Sequence, residues 1–350
     1  MKRCRSILFP LVLAVIPFIS ACSKATNDQG PWLGMNLPGD APELFAPGIV
    51  STGAAERDIA VTADGRELFF SRTVVPGSTA IMTCRLSNGK WNEPEVAEFS
   101  RQEGVQDTEP FVSPDGKRLY FVSERANAKT NQPAGNWDIW YVERLDTGWG
   151  PPQNLGPPVN TQAGEFFPAV TADGTLFFCR ADPKTRRHFI FRAAPEGNGF
   201  ATPQKLVGPP NASPSQFNTY VAPDESLMIL SVVGRKDSLG GCDYYLSFRD
   251  ESDQWSELLP LPPGINSDSR REWSPFLSPD GSVLFFMSSR GRAETYRAGQ
   301  MISHDDLAAY ADAPENGYSD IYWVRADFIP TLRGQAIFKR PDESAEEVSP

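Results

Sequence analysis

One short pattern recurs five times along this chain, and it limits the possible folds more than any other feature. Residues 107–123, DTEPFVSPDGKRLYFVS, read as an apolar run, a tight turn and a second apolar run. In the turn Pro114-Asp115-Gly116, proline presets φ, aspartate can bond its own backbone, and glycine accepts positive φ. Aromatic and aliphatic residues on either side suit strands, so the unit is a β-hairpin. It returns at 56–71, 165–179, 216–231 and 272–288. The turn aspartates Asp64, Asp115, Asp173, Asp224 and Asp280 stand 51, 58, 51 and 56 residues apart. A hairpin at a period of 50-odd residues is the signature of a propeller blade of four strands.

Each hairpin is followed by a third strand, at 80–86, 137–145, 188–194, 242–250 and 319–328. In four repeats a fourth strand follows an aromatic residue: Trp91, Trp149, Phe200 or Trp255. The fifth repeat lacks that continuation, while residues 42–50 read as an isolated strand with no repeat of its own. Placing 42–50 on the fifth repeat closes a ring and removes an exposed edge. The expected fold is therefore all-β: a five-bladed β-propeller of four-stranded antiparallel blades, its N-terminal strand closing the last blade. A six-bladed form is the alternative. With 32 Pro and 28 Gly, the composition also favours short strands and turns over helices.

The stretch from Pro110 to Phe121 reads P-x-x-S-P-D-G-x-x-L-x-F, and a later strand carries Asp138-Ile139-Trp140 and Asp320-Ile321-Tyr322. These repeats resemble the WD40-like propeller repeats of TolB-type proteins, over about residues 41–329. The resemblance implies the fold and says little of function. TolB itself has an extra N-terminal α/β domain that has no match here, so a role in the Tol system does not carry over.

Residues 1–21 read as a signal peptide, with Lys2, Arg3 and Arg5 ahead of the apolar run 7–18. Ile19-Ser20-Ala21-Cys22 resembles a bacterial lipobox, which implies cleavage before Cys22 and lipidation of that cysteine. A lipid-anchored envelope protein is expected, in the outer membrane facing the periplasm because Ser23 rather than Asp follows. Residues 22–40 read as a tether, 41–329 as the propeller and 330–350 as a C-terminal tail. Losing three positive charges with the leader takes the net charge from −11 to −14. That acidity argues against nucleic acid and leaves an envelope protein or a glycan as partner, with the membrane reached through the lipid alone. Cys84, Cys179 and Cys242 remain, one in each of three repeats. They permit at most one bridge and read best as buried thiols.

Aligning the hairpins on their turn aspartates exposes candidate chemistry. Eight residues earlier stand Glu56, Asp107, Glu165, Gln216 and Glu272, and six earlier stand Asp58, Glu109, Phe167, Asn218 and Ser274. The first strand of a blade lines the channel, so these carboxylates are expected at one mouth. Arg72, Arg125, Arg180, Arg235 and Arg290 end the second strands at the same face. The blade-5 insertion 291–318, with Arg292 in it and a helix start at Ser303, leaves from there too. The candidate ligand-binding set is Asp58, Asp107, Glu109, Glu165, Glu272, Arg290 and Arg292. Repetition in every blade favours salt bridges within blades as the plainer reading of the acid and arginine columns. No cofactor is implied, although clustered carboxylates could hold calcium. No G-x-S-x-G or H-E-x-x-H occurs, and only His188 and His304 exist. A glycosidase needs only two carboxylates and stays open as the alternative to a binding scaffold.

Overall fold

The computed structural model describes residues 31–75, 77–126, 135–291 and 301–338. Cys22, Arg292 and residues 339–350 lie outside the described residues.

Five antiparallel sheets stand as the blades of a five-bladed propeller. The inner strands are Ala55–Val61, Asp107–Val112, Glu165–Val170, Ser215–Val221 and Glu272–Leu277. Each hairpins onto a second strand, Glu67–Val75, Arg118–Ser123, Leu176–Ala181, Leu227–Val233 or Val283–Ser288. The third strands are Ser78–Ser87, Asp138–Leu145, His188–Ala193, Asp243–Phe248 and Asp320–Arg325. The outer strands are short: Glu95–Val96, Gln153–Asn154, Gln204–Lys205 and Leu259–Pro260. Blade 5 takes its outer strand from the other end of the chain, where Glu43 pairs with Trp323 and Leu44 with Tyr322. The ring closes as the missing fourth strand suggested.

The turn aspartates are spent on the turns. Thr62, Ser113, Thr171 and Ser278 each donate a hydroxyl to the aspartate two residues on, at 2.5–2.7 Å. Each aspartate also accepts the backbone N–H two residues beyond itself, at about the same place in blade 4 as in the others. These bonds pin the hairpin register.

Faces of neighbouring blades bury Phe69, Phe70, Phe121, Phe178 and Phe286 completely or nearly so. Each such ring is worth roughly 1.5–3 kcal/mol of apolar burial. Segments outside the repeats join this core. Trp32, in the stretch read as tether, is buried with its ring 5.4 Å from Phe285. Beyond the last strand, Phe328–Arg333 forms a short helix whose Phe328, Ile329 and Leu332 pack against the same core.

Cys84, Cys179 and Cys242 are buried and unbridged. Burial pushes the Cys84 and Cys179 thiols up to about 12 and raises Cys242 as well. These thiols are expected to resist iodoacetamide in the native protein at pH 8 and to react within minutes in guanidinium. Stoichiometric labelling of the folded protein, read by intact mass, would contradict this burial.

Candidate functional site

The channel is built from three consecutive columns of the inner strands, counted back from the turn aspartate. The outermost column, eight back, forms clasps within the blades. Glu56, Asp107, Glu165 and Glu272 are 0–1% exposed. Glu56 accepts from Arg72 at 2.8 Å and from the Thr52 hydroxyl at 2.6 Å. Glu165 repeats this with Arg180 and Thr161, at 2.7 and 2.6 Å. Glu272 accepts from Ser267 at 2.5 Å and Arg290 at 3.3 Å, and Asp107 from Arg125 at 2.8 Å. The arginines then reach back to carbonyls of the incoming connector, as Arg290 does to Gly264 and Ile265. Thus Asp107, Glu165, Glu272 and Arg290 stand where the chain enters each blade, fastening it, and do not open into the mouth. Blade 4 departs from the pattern. Gln216 donates to the His188 carbonyl at 2.6 Å, and Arg235 turns to Asp237 at 2.9 Å.

The column six back meets at the axis. In every inner strand the register slips between the seventh and fourth residues before the turn aspartate. Asp58, Glu109, Phe167, Asn218 and Ser274 take positive φ of 45–60° there. A bulge inserts one extra residue and re-aims its side chain. Five bulges at one level aim five side chains at one point. Asn218 donates to Ser274 at 3.2 Å, and Ser274 in turn donates to Asp58. Thr108 also donates to Asp58, at 2.8 Å. Arg57 bridges Asp58 and Glu109, at 2.7 and 2.6 Å. The other Glu109 oxygen accepts the Phe167 N–H at 2.6 Å. All five blades are linked through this chain of bonds. Below it the channel holds only about 10 Å³ of free space between Pro110, Phe111, Pro168, Tyr220, Pro275 and Phe276. That is barely room for one water.

The column seven back, Arg57, Thr108, Phe166, Phe217 and Trp273, forms the floor of the mouth. Phe166, Phe217, Trp273 and Arg57 are partly exposed, whereas the residues directly after Arg57, Phe217 and Trp273 are buried. An arc of ring contacts runs around the axis. Phe166 meets His188 at 5.1 Å, His188 meets Phe217 at 5.7 Å, and Phe217 meets Trp273 at 5.7 Å. Arg57 lies 5.6 Å and Arg271 5.4 Å from the Trp273 ring centre. This cradle escaped the sequence reading, which took columns eight and six and passed over the one between. Three aromatics in one column was the available signal. The His188 ring completes the arc.

The blade-5 insertion carries helix His304–Ala311, which starts at Ser303 as its sequence suggested, and Ser303 and Asp306 form a capping box there. It docks on the connector leading into blade 1, where Asn316 donates to the Gly53 carbonyl at 2.9 Å. A Cβ on Gly53 would stand 2.6 Å from the Ala311 carbonyl oxygen, so only glycine fits. Among the described residues, no group of three or more His, Cys, Asp or Glu could hold a metal ion.

No protein-family model matches the chain, and the comparison with curated proteins finds no match. Similar solved structures include TolB from Acinetobacter baumannii, 18% identical over 77% of this chain and 57% of that one, with a TM-score of 0.44. An α-L-arabinofuranosidase from Podospora anserina is 12% identical over 82% of this chain and 94% of that one, TM-score 0.45. A family 117 glycoside hydrolase from the marine bacterium Zobellia galactanivorans is 13% identical over 90% and 97%, TM-score 0.47. These likenesses are of fold alone.

Burial sets the electrostatics of the channel. It pushes Glu109, Glu165 and Glu272 up to about 7 and raises Glu56 and Asp107, against the pull of their arginines and hydroxyls. A carboxyl raised in the folded state contributes stability below its unfolded pKa, about 4.3 for Glu, and loses it as pH rises through the folded value. The turn aspartates run the other way. Partial burial opposes, but hydroxyl and backbone hydrogen bonds hold Asp64, Asp115, Asp224 and Asp280 below the usual range. For Asp173 the Thr171 hydroxyl is the leading cause. Their contribution is lost as pH falls below about 3.9. The melting temperature is therefore expected to peak near pH 5 and to fall by several degrees by pH 8. Glu165→Gln should flatten part of that slope. A melting temperature that climbs between pH 5 and 8 would refute the assignment.

Proposed function

We propose that this protein is a lipid-anchored propeller of the bacterial envelope that binds a protein or glycan partner at its top face. The observation that carries a binding role over hydrolysis is the closure of the channel. A glycosidase needs two carboxylates about 5–10 Å apart with sugar and water between them. Here Asp58 and Glu109 share Arg57 above a space of about 10 Å³, and four further carboxylates are fastened to the arginines that end the second strands. What remains presented to solvent is the cradle of Phe166, Phe217 and Trp273 with Arg57 and Arg271. Partly exposed aromatics beside arginine supply the large, specific contacts that dominate recognition surfaces. Of the residues singled out by sequence, Asp58 and Glu109 serve this reading by holding Arg57 in place.

The pull-down is done from envelope extract with wild type and with Trp273→Ala/Arg271→Ala. Loss of the wild-type partner from the double variant, at unchanged melting temperature, is expected. Equal recovery by both would remove the cradle from the site. Release of product from chromogenic glycosides, abolished by Glu109→Gln, would replace the scaffold reading with the enzymatic one. Anchoring is tested separately. Labelled palmitate should enter the wild type and not Cys22→Ser.

A further inference from the structure

The opposite face of the propeller carries a second site. A groove of about 500 Å³ opens between blades 2 and 3 at the hairpin turns, lined among others by Asp115, Lys117, Arg118, Tyr120, Asn198 and Phe200. Its origin lies in one position of the repeat. In blade 1, Glu67 pairs across the sheet with Arg85. It also reaches over the seam to Arg144 of blade 2. A buried carboxylate between two arginines thus fills the seam of blades 1 and 2.

One blade on, the charges are reversed. Arg118 holds the place of Glu67 and pairs across the sheet with Glu143. Where blade 2 offers Arg144 to its neighbour, blade 3 offers Ala194, the residue following the Leu176–Ala193 pair. The seam therefore keeps a guanidinium and loses the group that would have met it. Arg118 meets Glu143, itself about half exposed, at 3.3 Å, hydrogen-bonds the Tyr120 side chain and lies 4.7 Å from the Tyr141 ring. The seam of blades 3 and 4 again has its own carboxylate, Glu225, between Arg249 and Arg192. Of these three seams, that of blades 2 and 3 has no carboxylate held between two arginines, and the groove of about 500 Å³ opens there.

We propose that this groove binds a carboxylate-bearing saccharide, with Arg118 taking the carboxylate. Arginine's planar fork suits a carboxylate, and the neighbouring seams already use that pairing. Lys117 stands beside Arg118, ion-paired with Asp115 at 3.2 Å. The rest of the lining suits a hydroxylated ring rather than a purely apolar ligand. Tyr120 brings a hydroxyl, Asn198 an amide and Phe200 an aromatic ring. The volume suits one or two sugar residues.

The test is calorimetric titration of the full-length protein with digalacturonate and with its carboxyl-reduced, neutral counterpart. The acidic sugar is expected to bind at least tenfold more tightly than the neutral one. Arg118→Gln should weaken the acidic sugar at least tenfold and leave the neutral one unchanged. Ala194→Glu supplies the missing carboxylate from the chain itself, so it should raise the melting temperature and abolish binding. No heat at millimolar digalacturonate, equal binding of the two sugars, or unchanged affinity in Arg118→Gln would each overturn the proposal. A triglutamate peptide binding as tightly as digalacturonate would overturn its saccharide part. The cradle variant Trp273→Ala/Arg271→Ala should bind digalacturonate normally, which separates this site from the one on the top face.

Discussion

Arg57→Met is expected to cost about 3–5 kcal/mol of stability, the usual result of removing one partner from a buried charge cluster. Arg57 is the one cation among the axial side chains. Without it Asp58 and Glu109 stay buried, 3% and 6% exposed, with no positive charge between them. Methionine keeps an unbranched side chain of similar length, so the loss reports charge more than volume. The cost should shrink at acid pH, because a protonated Glu109 needs no cation. Its carboxyl already sits near 7, through burial first, so protonation at pH 5 is nearly complete. Asp58→Asn/Glu109→Gln in the same background should recover most of the loss, since two amides can keep hydrogen bonds that need no counter-charge. The measurement is the denaturation midpoint at pH 5 and pH 8 for the wild type, Arg57→Met and the triple variant. A midpoint shift of the same size at both pH values would contradict the charge account.

The second large effect concerns closure. Phe45 is fully buried, with its ring 5.1 Å from Phe285 and 5.0 Å from Trp323, both edge-on. Phe45→Ala is expected to cost about 3–5 kcal/mol from lost burial and the cavity left behind. The consequence goes beyond energy. The closing strand Glu43–Leu44 is only two residues long, so its pairing with Asp320–Arg325 depends on the aromatic anchor beside it. Freed of that strand, the third strand of blade 5 presents unpaired N–H and C=O groups to other chains. Light scattering should therefore show concentration-dependent association of Phe45→Ala at temperatures where the wild type stays monodisperse. Hydrogen exchange should rise first at Tyr322 and Trp323. A variant destabilised uniformly, with no local opening at blade 5, would show that other contacts hold the ring shut.

The ring was legible because its signals are local and repeated. Pro114-Asp115-Gly116 fixes a turn wherever it stands, and the missing fifth outer strand matched the spare segment at 42–50. The axis was harder to read. The bulge residues Asp58, Glu109, Phe167, Asn218 and Ser274 share a backbone conformation and nothing else. No common side chain announces them, and glycine is absent from all five. Because the bulge breaks the two-residue alternation of the strand, counting alternate residues put Asp107, Glu165 and Glu272 at the mouth. They face the connectors instead, and the odd column between supplies Arg57, Phe166, Phe217 and Trp273. Trp32 could not be placed from sequence because the polar, Gly- and Pro-rich residues around it give no sign of a docking partner. The blade 2–3 groove depends on which residue faces Arg118 across a seam, a relation between repeats that no single repeat contains.

The closing contact also bears on the order in which the chain can fold. Ser51 donates to the Ile321 carbonyl across 270 residues of sequence. As the chain is delivered from its N-terminus, the segment around Phe45 emerges well before its partner strand Asp320–Arg325. Four blades can hairpin up from neighbouring residues as they appear, but the first strand must wait, its aromatic ring uncovered, until that partner follows. Long-range closure of this kind is slow and leaves sticky surface in the interval. A nascent chain halted before residue 320 is then a set of blades with an unattended hydrophobic end, the form most in need of a holding chaperone.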